Sequence, residues 1–399
     1  MTLIDPPNRW RLDSPGSSGW QGSAQPGAPN KYLMISVDTH AVEPATLLAE
    51  RVDKKFSERL PRITVNEKGE MWHVVEGLEP ARYVMDTGLE GEDALRGSVT
   101  QDVESRIRDQ VADGVDAEII FPNKFLPILM TRDPEFAFAQ ARAYNDWAHE
   151  TFGAFSARCL PMAIIPAMDV DLAIAEVERA AALGFRGLTL PVKPTYNSLS
   201  AKDPAYNWPI YDRLWAAIQA VNLPATFHVG TGRDPRTTRG AGGAVTNYVA
   251  HALAPSVEIM AILCSSGVLE RFPGLKAVSV ESGVGWLPWC GAAMDEAYRK
   301  HHMWALPRLK ELPSHYLRTQ CFGTFQEDSV GMALAEQFGY VDAMMWANDY
   351  PHHEGSWPHS VESIERQMQT LKEDSRAKIL GLNAARVFGL PTDAKSYSA

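Results

Sequence analysis

LMISVDTHAVEP, residues 33–44, is a short apolar run that stops at two side chains able to bind a cation, Asp38 and His40. Such a run reads as a buried strand, and strand residues two apart leave on the same face, so this pair can converge on one ion. In a parallel α/β protein the chemistry gathers at the C-terminal ends of the strands. If this strand belongs to a parallel sheet, other strands should end in the same way.

Seven further apolar runs follow: AEIIF (117–121), LPMAIIP (160–166), FRGLTL (185–190), PATFHV (224–229), LKAVSV (275–280), RTQCFG (318–323) and AMMWAN (343–348). Amphipathic stretches with apolar residues three and four apart fall between them, such as residues 133–155 and 170–184. Gly184 and Gly274 stand where a helix or turn should end before a strand. Eight strands alternating with helices predict an α/β chain folded as a (β/α)8 TIM barrel. The interval between the first two strands is the longest. Within it RITVNEKGEMWHVVEG alternates around Lys68 and Gly69 as a β-hairpin insertion would. Residues 1–31, rich in Pro, Gly and Ser, read as an extended arm that can pack through Trp10 and Trp20. The barrel is expected over 32–391 and a short tail over 392–399.

With 45% hydrophobic and 22% charged residues, the 399-residue chain can bury a large core. The net charge of -11 and the lack of a basic run argue against nucleic acid as a partner. Cys159, Cys264, Cys290 and Cys321 form no CxxC pair and read as reduced core thiols. No signal peptide or membrane span is read from the sequence, so a cytoplasmic location is expected.

The remaining strand ends carry the same kind of side chain as the first. His228 closes the fifth strand, Glu281 closes the sixth in VSVESGVGW, and Asp349 follows the eighth in WANDYPHH. Each alone is weak evidence. Together, buried carboxylates and imidazoles without a cation would suffer desolvation and like-charge repulsion, whereas a divalent metal satisfies them all. Asp38, His40, His228, Asp349 and Glu281 are therefore the expected ligands of one or two divalent ions. Zinc is the first choice, with iron or manganese as alternatives. Asp349, Glu281 and His251, the last in the loop after the fifth strand, are the candidate proton carriers. His352 and His353 could orient Asp349. Lys193, Asn123 and Arg186 are weaker candidates for ion or substrate contact.

VDTHAVEP (37–44), FHVG (227–230), SSGVLERFPGLKAVSVESG (265–283) and ANDYPHHEGSWPHS (347–360) resemble the amidohydrolase-related family. That family includes aminocarboxymuconate semialdehyde decarboxylase and related aromatic-acid decarboxylases and hydrolases. The resemblance runs from about Ile35 to about Gly389 and implies a metal held by Asp38, His40, His228 and Asp349, in a homodimer or larger assembly. Two positions depart from the decarboxylase pattern: Asp38 stands where a His or Glu is usual, and Glu281 where a His is usual. Because Glu281 can serve as a general base, the expected reaction is hydrolysis of an ester, thioester, lactone or amide of a small apolar or ring-bearing acid derivative. The insertion after the first strand and the Trp residues near strand ends, Trp286, Trp289, Trp346 and Trp357, point to an apolar, bulky acyl or ring-bearing substrate. Non-oxidative decarboxylation of an aromatic or unsaturated acid is the alternative, and a non-catalytic metal-binding barrel the third reading.

Overall fold

A computed structural model of the chain describes residues 8–76, 78–83, 90–195, 202–232 and 238–397. The strands are β1 (Ile35–His40), β2 (Arg62–Val65), β3 (Met71–Val74), β4 (Ala81–Tyr83), β5 (Ala117–Phe121) and β6 (Cys159–Pro161). They continue as β7 (Ala163–Ile164), β8 (Leu188–Leu190), β9 (Ala225–His228), β10 (Ala277–Val280), β11 (Cys321–Phe325) and β12 (Met344–Trp346). One parallel run is ordered β1-β5-β6, and a second β7-β8-β9-β10-β11-β12. Segments β6 and β7 are two halves of one strand. Pro161 has no N–H to donate, and the bonding passes from β5 to β8 across Met162, whose N–H donates to the Ile120 carbonyl, and Ala163, whose N–H donates to that of Gly187.

The ring closes between β12 and β1. The Asp349 N–H donates to the Asp38 carbonyl at 2.9 Å, and the His40 N–H to the Tyr350 carbonyl at 2.7 Å. The eight-stranded parallel barrel expected from the alternation is thus present. Ile35, Val37, Ile119, Phe121, Val278, Val280, Phe322 and Met345 pack together as one buried cluster, and a larger cluster fills the space between strands and helices. The helices begin and end where their sequences dictate. Asp133 caps Pro134–Phe152 by accepting from two backbone N–H groups, and Asp169 caps Val170–Leu183, which ends on Gly184 at φ 91°.

Several boundaries differ from the sequence reading. Residues 318–320, taken as the start of the seventh strand, form the last turn of the helix Pro313–Gln320, and the strand begins at Cys321. Both segments are short and the strand is buried throughout, so periodicity cannot separate them. In the first interval β2, β3 and β4 form a small antiparallel sheet, with Val65 opposite Met71. A helical run of 23 residues, Gly243–Ser265, is long and apolar enough by composition to cross a membrane, at a mean hydropathy of 1.4. Its second half packs Ile259, Met260, Leu263 and Cys264 into the core. All four cysteines are buried and unbridged.

The N-terminal arm lies against the C-terminal helices. Arg376 stacks over Trp20 at 4.1 Å, and the Tyr32 hydroxyl donates to Glu373 at 2.6 Å. Arg11, nearly buried, donates to the backbone carbonyls of Gly355 and His353, so the arm also grips the loop after β12.

Candidate metal centre

The pairing of β1 with β5 slips between Ser36 and Thr39, so three residues of β1 span the length of two on β5. A bulge of this kind re-aims the side chains beyond it. Thr39 turns to donate to the Ile119 carbonyl at 3.0 Å, while Asp38 and His40 converge with residues from three other strands. His228 comes from the end of β9. Glu281 follows β10 directly and Asp349 stands three residues past the end of β12, and both hold left-handed backbone, at φ 58° and 52°. Such a conformation costs a non-glycine residue about 1–3 kcal/mol and persists where the surroundings impose it, often at a functional site.

The distances define one focus. His40 Nε2 lies 3.5 Å from Asp38 Oδ1 and 3.4 Å from Asp349 Oδ1, and His228 Nε2 lies 3.4 Å from Asp38 Oδ1 and 3.7 Å from Glu281 Oε2. The other ring nitrogen of each imidazole is engaged: His40 Nδ1 with the Pro122 carbonyl at 3.1 Å, His228 Nδ1 with the Val229 carbonyl at 2.9 Å. If those nitrogens carry the protons, both Nε2 lone pairs face the centre. Both carboxylate oxygens of Asp38 and of Asp349, together with His40 Nε2 and His228 Nε2, are buried without a hydrogen-bond partner. Orphaned buried polar atoms of this number are costly unless something fills the space between them. The residues fit a divalent cation bound through mixed imidazole and carboxylate ligands.

Electrostatics agree with that fit. Burial, reinforced by Asp349, pushes the Asp38 carboxyl well above the usual carboxylate range, and the same two causes in the same order act on Glu281. Burial drives His40 down to about 3, which keeps it neutral and able to donate its lone pair. His352 stacks on His40 at 4.0 Å and reaches Asp349 Oδ1 at 3.2 Å. Although burial opposes it, this contact with Asp349 raises His352 to about 9, and Asp349 is held correspondingly low against its own burial.

The weaker candidates fall elsewhere. His251 lies on a π-helical turn, Tyr248–Leu253, rather than in a loop, and belongs to none of the ligand groups described. Lys193 pairs with Glu258 at 3.3 Å. Arg186 precedes β8, which places it at the N-terminal end of the barrel, away from the centre. The side chain of His353 is 84% exposed. Of the four tryptophans near strand ends, Trp346 and Trp357 are buried and Trp289 faces outward.

One side chain that supports the centre, Glu43, is not marked out in the sequence. Glu43 is fully buried and accepts the backbone N–H groups of Asn123 at 2.6 Å and Lys124 at 3.1 Å. It thereby holds the turn whose Pro122 carbonyl orients His40. Burial raises its carboxyl to about 7. The only signal in the sequence was a carboxylate three residues beyond the DTH pair. Glu43→Gln replaces one acceptor oxygen by an amide that cannot accept, and should weaken metal affinity by about tenfold, the lower end of what outer partners contribute. Chelator competition measures this. Unchanged affinity would mean that the turn is held without Glu43.

The family model for amidohydrolases matches residues 73–390. The chain belongs to the amidohydrolase family. Among curated relatives, gamma-resorcylate decarboxylase of Polaromonas sp. strain JS666 is 24% identical over 314 residues, which cover 74% of this chain and 90% of that protein. Among solved structures, an amidohydrolase from Mycobacterium avium subsp. paratuberculosis K-10 superposes with a TM-score of 0.69 at 20% identity, covering 90% of this chain and 98% of that one. A dihydroxybenzoic acid decarboxylase from Polaromonas sp. JS666, solved with bound manganese and an inhibitor, gives 0.62 at 20% identity and covers 92% of this chain and 100% of that one. These likenesses establish the fold.

They also correct the sequence reading of the reaction. Hydrolysis was favoured because Glu281 can act as a base on water, but the relatives with a stated activity are decarboxylases of aromatic acids. A buried carboxyl can give a proton as readily as take one, so Glu281 by itself could not decide between the two.

Proposed function

We propose that the protein is a metal-dependent, non-oxidative decarboxylase of an aromatic carboxylic acid. The observation that carries this reading is the convergence of Asp38, His40, His228 and Asp349, with their ligand atoms orphaned, beside a buried Glu281 whose environment favours the protonated acid. Manganese is the metal favoured by the neighbour that holds it. The cation, once bound by those four residues, supplies positive charge that holds the substrate's carboxylate and stabilises charge developing on the ring.

The chain's own groups do the rest. Glu281 transfers its proton to the ring carbon that bears the carboxylate. The bond from that carbon to the carboxylate then breaks, carbon dioxide leaves, and the electron pair of the broken bond restores the ring. Glu281, now a carboxylate, regains a proton from solvent. His352, stacked on His40 and in contact with Asp349, keeps both ligands in their orientation.

Incubation of the manganese-loaded protein with hydroxylated benzoic acids in D2O tests the reading. Carbon dioxide should be released in step with substrate loss, and the product should carry one deuterium at the vacated carbon. Turnover of esters or lactones without carbon dioxide release from any aromatic acid would overturn it.

A further inference from the structure

The helix Trp286–Lys300 begins just past Glu281 and runs back along the outside of the barrel, and its 15 residues, at about 1.5 Å each, carry its far end roughly 20 Å from its start. The stretch that closes this helix and leads on reads AYRKHHMWALPRLK over residues 297–310, with four cations, Arg299, Lys300, Arg308 and Lys310, and no carboxylate, in a chain of net charge -11. Its apolar side chains are not buried: Met303 and Trp304 are each 72% exposed and Leu306 is 74% exposed. One exposed apolar residue is ordinary, whereas several together mark a contact surface. We infer that this loop docks the protein on an anionic lipid surface, with Met303, Trp304 and Leu306 entering the headgroup region and the four cations meeting the lipid phosphates.

The loop is fixed at its base and projects from there. The Trp304 N–H donates to the His301 carbonyl at 2.8 Å, the Leu309 N–H to the Tyr298 hydroxyl at 2.7 Å, and the Lys310 N–H to Glu270 at 2.6 Å. Leu309 packs against the core, so the anchor is apolar as well as hydrogen-bonded. All four cations are exposed, and among the described residues only Lys300 is in an ion pair, with Glu296 one turn back on its helix. Arg308 donates to the His302 carbonyl, which leaves its charge uncompensated. Beside the loop a cleft of about 450 Å³ is walled largely by Ile262, Met294, Tyr298, Trp304, Leu306 and Pro313, and these side chains suit the end of an acyl chain.

Composition favours a bilayer over another macromolecule. The cores of protein interfaces are depleted in charged residues, whereas here the apolar side chains are bracketed in the chain by Arg299 and Lys300 on one side and by Arg308 and Lys310 on the other. Tryptophan with lysine and arginine around it settles at the boundary between headgroups and acyl chains, where the ring is buried and the cations stay wet beside anionic lipid. A polyanion without an apolar phase, such as nucleic acid, would satisfy the cations and leave Met303, Trp304 and Leu306 in water.

Co-sedimentation of the full chain with vesicles of phosphatidylcholine alone, or of phosphatidylcholine and phosphatidylglycerol in equal parts, tests the inference. The protein should pellet with the mixed vesicles, stay in solution with phosphatidylcholine alone, and bind the mixed vesicles more weakly as salt rises. The double variants Trp304→Ala/Leu306→Ala and Arg299→Gln/Arg308→Gln should each bind roughly tenfold or more weakly. Their melting temperatures should match the wild type, because the replaced side chains are exposed. Failure of the wild type to bind the mixed vesicles, equal binding to both vesicle types, or undiminished binding by either variant overturns the inference. Sedimentation velocity without vesicles covers the remaining case: a fall in mass in Trp304→Ala/Leu306→Ala would seat a second copy of this chain on the loop and would also overturn it.

Discussion

His228→Ala abolishes tight binding of the cation and takes turnover down to that of the metal-free protein. His228 Nε2 is one of two imidazole donors at the centre, and no other described imidazole from β9 or its neighbours faces the same focus. Loss of an outer partner of a ligand costs about 10–100-fold in metal affinity, and removal of a ligand itself should exceed that. The variant should nevertheless fold. Within the metal-free protein the His228 side chain makes one backbone contact, with the Val229 carbonyl, and its Nε2 is already unsatisfied. Deleting it relieves an orphaned buried nitrogen while opening a small cavity, so the metal-free melting temperature should change little. Calorimetry of the metal-free proteins together with chelator competition checks both halves. Wild-type metal affinity in a well-folded His228→Ala would remove this residue from the ligand set.

Glu281→Gln lowers kcat by roughly a hundredfold or more, the usual range for loss of an acid/base group. The side chain keeps its volume and sits in the same left-handed turn, so packing is preserved and only the proton-carrying function is removed. The pH dependence of kcat and the metal content separate the roles. If Glu281 delivers the proton, activity of the wild type should fall as rising pH removes that proton, and the residual activity of the variant should lose this basic limb. If Glu281 only ligates, metal stoichiometry falls and the pH profile keeps its shape. An unchanged kcat at full metal content would assign Glu281 to holding the loop after β10 and no more.

The reach of the sequence is clearest at Asp38, His40, His228, Glu281 and Asp349. Each follows a short apolar run, and in a parallel barrel the ends of such runs must meet at one mouth. Position along the chain is enough to bring them together. The same logic placed the helices, whose caps at Asp133 and Asp169 and whose stop at Gly184 are local chemistry. Choice of reaction was not legible. Glu281 supports acid and base roles equally, and only comparison with related proteins favoured one.

Other features depend on contacts that no local pattern encodes. The slip between β1 and β5, which turns Asp38 and His40 rather than Thr39 toward the centre, arises from pairing with a strand about 80 residues later. The break across Met162 reflects a strand bonded to different neighbours in its two halves, and residues 318–320 became helix because tertiary packing outweighs a short apolar run. Glu43 looks like an ordinary loop carboxylate until the fold sets it against the backbone of 123–124, about 80 residues away in the chain. What the sequence by itself determined is which side chains reach the mouth of the barrel, because strand periodicity is local. Only the tertiary structure decided how those side chains are aimed, held and left unpaired, because burial and long-range hydrogen bonds exist only once distant segments have met.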